Sequence, residues 1–314
     1  MCCSKFVKLI SAQNMGTLSR IAATLLLVIV FSVQPGTASE PLNVHVVNYP
    51  LKYFAERIGG KHVRVEFPVP ADADPAYWSP DLTDIAAYQQ ADLILLNGAG
   101  YAGWVAKVSL PRSKLVNTSK KFKDQYISIK GAVTHSHGGA GEHAHEDLAF
   151  NTWLDLTLAA QQAEAVALAL GRKRPELKDA FQRSYKALAG ELEDLDQEIQ
   201  AIVSQKPSVP LIVSHPVYDY FARRYGLNIK SLHWEPDQVP DNEQWRALEA
   251  ILVQHPARWM IWEGRPLQAS VDGLKMRGVD SIVFDPCGNV PDQGDFLTVM
   301  KQNVENLRKA YQAQ

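Results

Sequence analysis

Short apolar runs alternate with amphipathic segments through both halves of this 314-residue chain, and this alternation restricts the fold more than any other feature. The runs are almost continuously apolar, as are strands that a parallel sheet buries on both faces. The segments between them carry apolar residues at steps of three and four, which is the spacing of a helix with one buried face. Strands that alternate with helices indicate an α/β fold of mostly parallel sheets flanked by helices. We predict strands at 43–48, 62–69, 92–97, 210–215, 227–234, 258–263 and 280–286.

A single long amphipathic helix is predicted between two such α/β lobes. From Pro175 to Gln205, apolar residues recur at steps of three and four, with charged or polar residues between them. About 30 residues at a rise of about 1.5 Å span roughly 45 Å, so each end of the helix could meet one lobe. A peripheral helix of one domain would show the same periodicity and stays open as an alternative. We therefore divide the chain into an N-terminal lobe at 40–154, a helical region at 155–206 and a C-terminal lobe at 207–314.

The N-terminus has the pattern of a secretory signal peptide. Basic residues precede an apolar run at 21–33, and small residues at 37–39 follow it. The run is shorter than the roughly 20 residues that span a bilayer, so we predict a cleaved signal peptide at 1–39 and a periplasmic protein. An uncleaved anchor helix is the alternative. No cysteine follows the run directly, so we expect no lipid anchor, and Cys287 remains as a single thiol without an internal disulfide.

The charge balance argues against a nucleic-acid partner. The chain has 32 basic and 34 acidic side chains and a formal net charge of −2, whereas nucleic-acid phosphates select a concentrated basic face. We also find no P-loop, no G-x-S-x-G elbow, no H-E-x-x-H helix and no dinucleotide fingerprint. These observations predict a protein that is not an enzyme.

Three predicted strands of the C-terminal lobe end in side chains that can bind a metal. These side chains are His215, Glu263 and Asp285. In α/β sheets, ligands bind in the crevice beyond the carboxyl ends of the strands. Imidazole and carboxylate groups are ligands of zinc and of harder divalent ions. A structural histidine in the core is the alternative for His215, and the two acidic neighbours favour the metal site.

Five segments of the chain form a pattern whose order and spacing are specific. They are, in order, YPLKYFAERIGG, PADADPAYWSPDLTDIAAYQQADLILLNGAGYAGW, FNTWLDL, LIVSHPVYDYFARRYGL and SIVFDPCGN. As a set they resemble the zinc and manganese substrate-binding proteins of bacterial ABC transporters (cluster A-I), in which one long rigid helix joins two lobes. The resemblance covers essentially the whole exported chain. It implies that fold, Zn²⁺ or, as second choice, Mn²⁺ as the transported ligand, and an ABC permease with its ATPase as partners.

The ligand set that this resemblance implies is incomplete here. The first ligand of the family is the histidine of a D-P-H-x-Y-x-P pattern, and Ala76 stands at that place. The second is the histidine two residues before the tryptophan of H-x-W-L-D-P, where this chain has Asn151. The third and fourth, a histidine after a strand and an aspartate in D-P, match His215 and Asp285. Alanine donates nothing, whereas the amide oxygen of Asn151 could still bind a metal.

A histidine-rich stretch at 133–147, VTHSHGGAGEHAHED, offers replacement ligands. It holds two H-x-H pairs, namely His135 with His137 and His143 with His145. In an extended segment the two imidazoles of such a pair point to the same side. One or two of these histidines could complete the site at the strand ends, form a separate collecting site, or be solvated without a metal role. The second pair is the nearer one to the expected second-ligand position.

These features together predict an importer component that captures Zn²⁺ and hands it to a membrane permease. We expect it to dock on the inner-membrane transporter as a monomer. Imidazole-rich donors favour zinc over manganese, and because histidine binds metals only when neutral, affinity should fall below about pH 6.5. Three alternatives stay open: a zinc buffer or metallochaperone, a hydrolytic metalloenzyme with Glu263 as its base, and a relative that has lost the metal and carries another small ligand.

Overall fold

Two four-stranded parallel sheets with flanking helices make up the protein in the computed structural model, which describes residues 40–129 and 148–312. This confirms the predicted α/β fold class. The predicted signal peptide at 1–39 and the four histidines of the 133–147 stretch lie outside the described residues. Within the described ranges, no helix is both long and apolar enough to cross a membrane.

The first sheet has the strand order β2-β1-β3-β4, with every neighbouring pair parallel. Because the chain steps outward from β1 to both sides, a crevice forms between the carboxyl ends of β1 and β3. The elements of this lobe are β1 Leu42–Val46, α1 Tyr49–Gly59, β2 Val63–Glu66, α2 Leu82–Gln90, β3 Leu93–Leu96 and β4 Leu115–Asn117.

The second sheet repeats this topology in the order β6-β5-β7-β8, again with every neighbouring pair parallel. Its crevice therefore lies between β5 and β7. The elements are β5 Pro210–Val213, α5 Asp219–Tyr225, β6 Asn228–Ser231, α6 Asn242–Gln254, β7 Trp259–Trp262, α7 Gln268–Lys275, β8 Asp280–Val283 and α8 Phe296–Gln312.

Helix starts are encoded locally by side chains that cap the first turn. Asn48 precedes α1 and accepts the Leu51 N–H at 3.1 Å. Asp81 precedes α2 and forms a reciprocal capping box with Asp84. Each cap satisfies backbone N–H groups that the helix itself leaves without a partner, which fixes where the chain leaves the preceding strand or loop.

Two helices fill the region between the sheets. They are α3 Leu156–Lys173 and the 27-residue α4 Lys178–Ser204, which a 3₁₀ turn at Pro175–Leu177 precedes. The buried face of α4 carries apolar residues at the predicted spacing, namely Phe181, Leu188, Leu192, Leu195, Ile199 and Ile202. Helix α4 packs on α1 of the first lobe and on α5 and α8 of the second. The predicted long helix joining two lobes is therefore confirmed, although α3 was predicted only as part of a helical region and β4 was not predicted.

The buried carboxylate of Asp196 on α4 accepts hydrogen bonds from the second lobe. Asp196 accepts two hydrogen bonds from Arg224, from Nε at 2.9 Å and from Nη2 at 2.6 Å. The Tyr225 hydroxyl donates to the same carboxylate at 2.8 Å, and Gln200 donates at 2.8 Å. Arg224 and Tyr225 lie at the end of α5, so the pair fixes α5 against α4. A buried carboxylate is stable in such a place only when its oxygens are satisfied in this way.

Neutral amides occupy the crevice of the first sheet. Asn48 follows β1, Asn97 follows β3, and the two side chains are hydrogen bonded at 3.2 Å. Gln162 of α3 donates to the Asn97 side chain at 3.1 Å. Asn97 in turn donates to the Phe150 carbonyl at 2.9 Å. All three amide side chains are buried, so this network closes the crevice with uncharged groups.

Candidate metal centre

The carboxyl ends of three neighbouring strands of the second sheet bring one histidine and two glutamates together. Strands β6, β5 and β7 are followed by Glu235, His215 and Glu263, in that order across the sheet. One ligand atom from each of these residues lies within 4.8 Å of those of the other two. His215 Nδ1 is 3.5 Å from Glu263 Oε1 and 3.8 Å from Glu235 Oε1. The group lies at the crevice between β5 and β7, where α/β sheets bind ligands.

His215 presents an unpaired ring nitrogen to this group. Its Nδ1 is buried and has no hydrogen-bond partner among the described residues. Burial lowers the pKa of His215, and this effect outweighs the opposing effect of the Glu235 carboxylate. An imidazole that stays neutral near pH 7 can offer a ring nitrogen to a metal ion.

Crowded negative charge surrounds Glu263. Burial is the largest cause that raises the pKa of the Glu263 carboxyl to about 7. The charges of Glu235, Asp74 and Asp285 raise that pKa further. The backbone N–H of Glu263 donates to Ser214 Oγ at 3.2 Å, which fixes the residue directly after β7. Carboxylates held this close destabilise one another unless a proton or a cation lies between them.

The charge of one acidic side chain of the first lobe acts on the group. Asp74 lies in a turn between β2 and α2, and its charge acts on both His215 and Glu263. The residue keeps contact with solvent, yet the surrounding protein desolvates the carboxyl enough to raise its pKa. Asp74 Oδ1 accepts the Ala76 N–H at 2.8 Å. Because a carboxylate has two oxygens, this bond leaves Asp74 able to bind a cation.

Asp285 lies beside the group but outside it. Its carboxylate accepts the Cys287 N–H at 2.6 Å, and burial raises its pKa. Its backbone is held by Asn303, whose side chain accepts the Asp285 N–H at 2.9 Å and donates to the Asp285 carbonyl at 2.7 Å. The structure thus gives Asp285 a role in the turn after β8, while its charge still reaches Glu263.

The structure does not bring the remaining sequence-based candidates into the three-residue group. Ala76 is buried and adds only a methyl group to the core. Asn151 directly precedes the 3₁₀ turn Thr152–Leu154, and its role as a ligand stays a prediction. His135, His137, His143 and His145 lie outside the described residues, so their role stays a prediction.

Sequence reasoning missed Glu235, Asp74 and His233. Glu235 directly follows the predicted strand 227–234, so the strand-end argument that selected His215 would have selected it as well. Asp74 lies two residues before Ala76, inside the segment that lacks the expected histidine. The His233 ring centroid lies 5.6 Å from that of His215, a proximity that only the path of the chain after β6 reveals.

The donor atoms suit a divalent cation. Zinc accepts imidazole nitrogen together with carboxylate oxygen, and manganese tolerates more oxygen ligands. Among the described residues the donors are one imidazole and several carboxylates, a set richer in oxygen than the imidazole-rich set that the sequence predicts. Any histidine of the 133–147 stretch that reached the site would shift the balance towards nitrogen.

Comparisons with known proteins point to one family. The family model for ZnuA, zinc-uptake complex component A, periplasmic, matches residues 44–310. The chain is 24% identical over 284 residues to the zinc-binding lipoprotein AdcA of Streptococcus pneumoniae, which covers 87% of this chain and 56% of AdcA. It is 26% identical over 285 residues to the high-affinity zinc uptake system protein ZnuA of Bacillus subtilis, covering 84% of this chain and 86% of that protein. The chain therefore spans little more than half the length of AdcA.

A solved structure supports the same fold. The metal-dependent lipoprotein YcdH of Bacillus subtilis superposes with a TM-score of 0.73 at 22% sequence identity. The match covers 86% of this chain and 99% of YcdH.

These relatives correct the predicted localisation. The prediction of a periplasmic protein with a cleaved signal peptide and no lipid anchor is wrong, because relatives that align along most of this chain are named lipoproteins. A lipoprotein is held at a membrane by its acyl chains and needs no membrane-spanning helix.

The fold agrees with the family match, which extends over residues 44–310. The resemblance deduced from the five sequence segments is confirmed. The chain belongs to the ZnuA family, the family of the zinc-uptake complex component A.

Proposed function

We propose that this chain is the metal-binding component of an ABC importer, with Zn²⁺ as its cargo. The main observation behind this proposal is the group of His215, Glu235 and Glu263. In this group a buried imidazole nitrogen, which has no hydrogen-bond partner among the described residues, lies beside two carboxylates. Family membership and the zinc-binding and zinc-uptake names of the relatives support zinc as the ion. The Zn(II)-bound form of AdcA shares the fold with a TM-score of 0.72.

The second lobe would supply most of the ligands that capture the ion, and the first lobe would supply a further carboxylate. Three donors stand on adjacent strand ends, so the sheet fixes their spacing before the ion arrives and little ordering is needed on binding. Asp74 adds a carboxylate from the first lobe, and Asp285 adds negative charge beside the site. We further propose that one or two histidines of the 133–147 stretch, with His143 and His145 as first candidates, supply nitrogen donors and favour zinc over manganese.

Delivery would involve a permease and its ATPase and no bond chemistry in this chain. Substrate-binding proteins of ABC importers bind the cargo and pass it to the membrane components, and a relative is named a metal ABC transporter substrate-binding lipoprotein. We propose the same partners here, with the chain acting as a monomer that docks on the transporter.

Metal analysis with isothermal titration of zinc tests the site. We expect one zinc ion per chain, and we expect His215→Ala and Glu263→Gln each to weaken binding by at least about tenfold, because each removes one direct ligand. Glu176→Gln is the matched control, since Glu176 is exposed in the 3₁₀ turn before α4. A parallel variant with the four loop histidines replaced by serine separates a ligand role from a collecting role.

Three results would each contradict this proposal. Wild-type protein that takes up no zinc would favour the alternative of a relative that has lost the metal, to which Ala76 and Asn151 point. Stoichiometric binding that survives unchanged in His215→Ala would move the site away from the second sheet. Zinc binding without any effect on uptake by a neighbouring permease would instead support a buffer or metallochaperone.

A further inference from the structure

The segment that follows β8 joins the two lobes through hydrogen bonds. The Trp153 indole N–H donates to the Pro286 carbonyl at 2.7 Å. The Tyr49 N–H, at the start of α1, donates to the Gly288 carbonyl at 2.9 Å. Residues 286–289 therefore contact both α1 of the first lobe and the segment before α3.

Asn289 contacts the segment of the first lobe that precedes Asp74. Its Nδ2 donates to the carbonyls of Pro70 and Ala73 at 2.8 Å each, with Ala71 at 3.4 Å. Its Oδ1 accepts the N–H of its neighbour Val290 at 2.7 Å. That bond fixes the amide so that the NH₂ group, and not the oxygen, faces the carbonyls of the first lobe.

The turn to which Asn289 donates its hydrogen bonds is the turn that contains Asp74. The Ala73 carbonyl belongs to the peptide bond directly before Asp74, so this hydrogen bond restrains the backbone at the carboxylate. The turn is closed on its other side by the Tyr77 and Trp78 N–H groups, which donate to the Asp74 carbonyl at 3.1 and 2.9 Å. Asn289 therefore links the segment after β8 in the second lobe to the Asp74 turn of the first lobe.

We propose that Asn289 is a positioning residue that holds the Asp74 turn against the second lobe and so sets how long the cargo ion stays bound. The first part concerns the metal-free fold, and the second part rests on the proposed function. An amide is required for this role, because an aspartate at 289 keeps the Val290 bond but sets oxygen against the carbonyl oxygens.

Hydrogen exchange in the metal-free protein tests the first part. In Asn289→Ala and in Asn289→Asp we expect the amides of residues 73–78, apart from Pro75, to exchange about five- to tenfold faster, which is the effect expected from the loss of about one net hydrogen bond. Asn228→Ala is the matched control, because Asn228 donates to the Ser208 carbonyl at 3.2 Å within the second lobe alone. Unchanged exchange at 73–78 in both Asn289 variants would overturn the proposal, whether or not zinc binds.

A double-mutant cycle on zinc release tests the second part. We expect Asn289→Ala to raise the zinc dissociation rate constant about five- to tenfold, measured by stopped flow with a chelator, and to leave the association rate constant unchanged. In combination with Asp74→Asn it should add little, because the two residues act on the same carboxylate. A merely structural role would instead give independent, multiplying effects, and that result would overturn the positioning role. Wild-type protein that binds no zinc would refute the proposed function, and the exchange experiment would still decide on the contact.

Discussion

At the scale of single residues, the centre is marked by groups that would be unfavourable in an ordinary core. His215 keeps a buried Nδ1 without a described partner, and Glu263 is surrounded by three other carboxylates. Either feature costs stability in the absence of a cation. Their occurrence together at one crevice supports the ligand-binding role proposed above.

Protons should compete with zinc chiefly at Glu263. Its pKa, raised to about 7 by burial and neighbouring charge, means that the carboxyl is protonated as the pH falls below neutrality. Because a metal binds the ionised form, zinc affinity should decline between pH 7.5 and 5.5. Burial lowers the pKa of His215, so protons compete less strongly for this imidazole than for a histidine in water.

Replacement of Glu263 by glutamine separates the effect of Glu263 protonation on zinc affinity from the effects of other titrating groups. Glu263→Gln should bind zinc more weakly at pH 7.5 and should show a shallower loss of affinity towards pH 5.5. Chelator competition at three pH values, corrected for protonation of the chelator, measures both. An equal pH dependence in wild type and variant would show that another group controls the competition.

The sequence predicts part of this centre, and the reasons are physical. His215, Glu263 and Asp285 were selected because they follow apolar strands, and the first two do lie in one group. Whether they bind metal stays a prediction. Asp74 could not be found by that reasoning, since it lies in a turn of the other lobe and approaches the site only through the packing of the two lobes.

At the scale of elements, α4 and α5 are fixed to each other by one buried ion pair. Arg224 donates two hydrogen bonds to Asp196, and the Tyr225 hydroxyl donates a third to the same carboxylate. The apolar periodicity of α4 predicts its length and its buried face. It does not predict this pair, because a charged residue at one position of a helix is equally consistent with an exposed site.

Asp196→Ala should lower the free energy of unfolding by about 3 kcal/mol, since it leaves a partly buried guanidinium and a buried hydroxyl without their acceptor. The matched control on the same helix is Glu191→Ala, whose exposed ion pair with Arg57 should contribute at most about 1 kcal/mol. Urea denaturation followed by circular dichroism measures both. Equal losses in the two variants would contradict the special role of the buried pair.

At the scale of the whole molecule, the two lobes share one continuous core. A single cluster of buried apolar side chains includes Val44 of the first sheet, Leu188 of α4, Val213 of the second sheet and Met300 of α8. Two smaller clusters lie around β7 and around Phe122. Shared burial of this kind couples the unfolding of the lobes, so the described part of the chain should behave as one cooperative unit.

Calorimetry should therefore show one transition, and zinc should move it to higher temperature. An ion that binds only the native state at 100 times its dissociation constant stabilises by about 2.7 kcal/mol. His215→Ala should keep the single transition and lose the shift. Two resolved transitions in the metal-free protein would contradict a common core, and an equal shift in His215→Ala would contradict the site.

The matching strand orders of the two sheets give the molecule a pair of equivalent crevices with opposite character. Asn48 and Asn97 seal one with uncharged amides, while His215 and Glu263 leave the other charged and able to accept an ion. The two sheets thus share one strand order but differ in the side chains at their crevices. Under the proposed function, the ion would therefore bind at the crevice of the second sheet and not at that of the first.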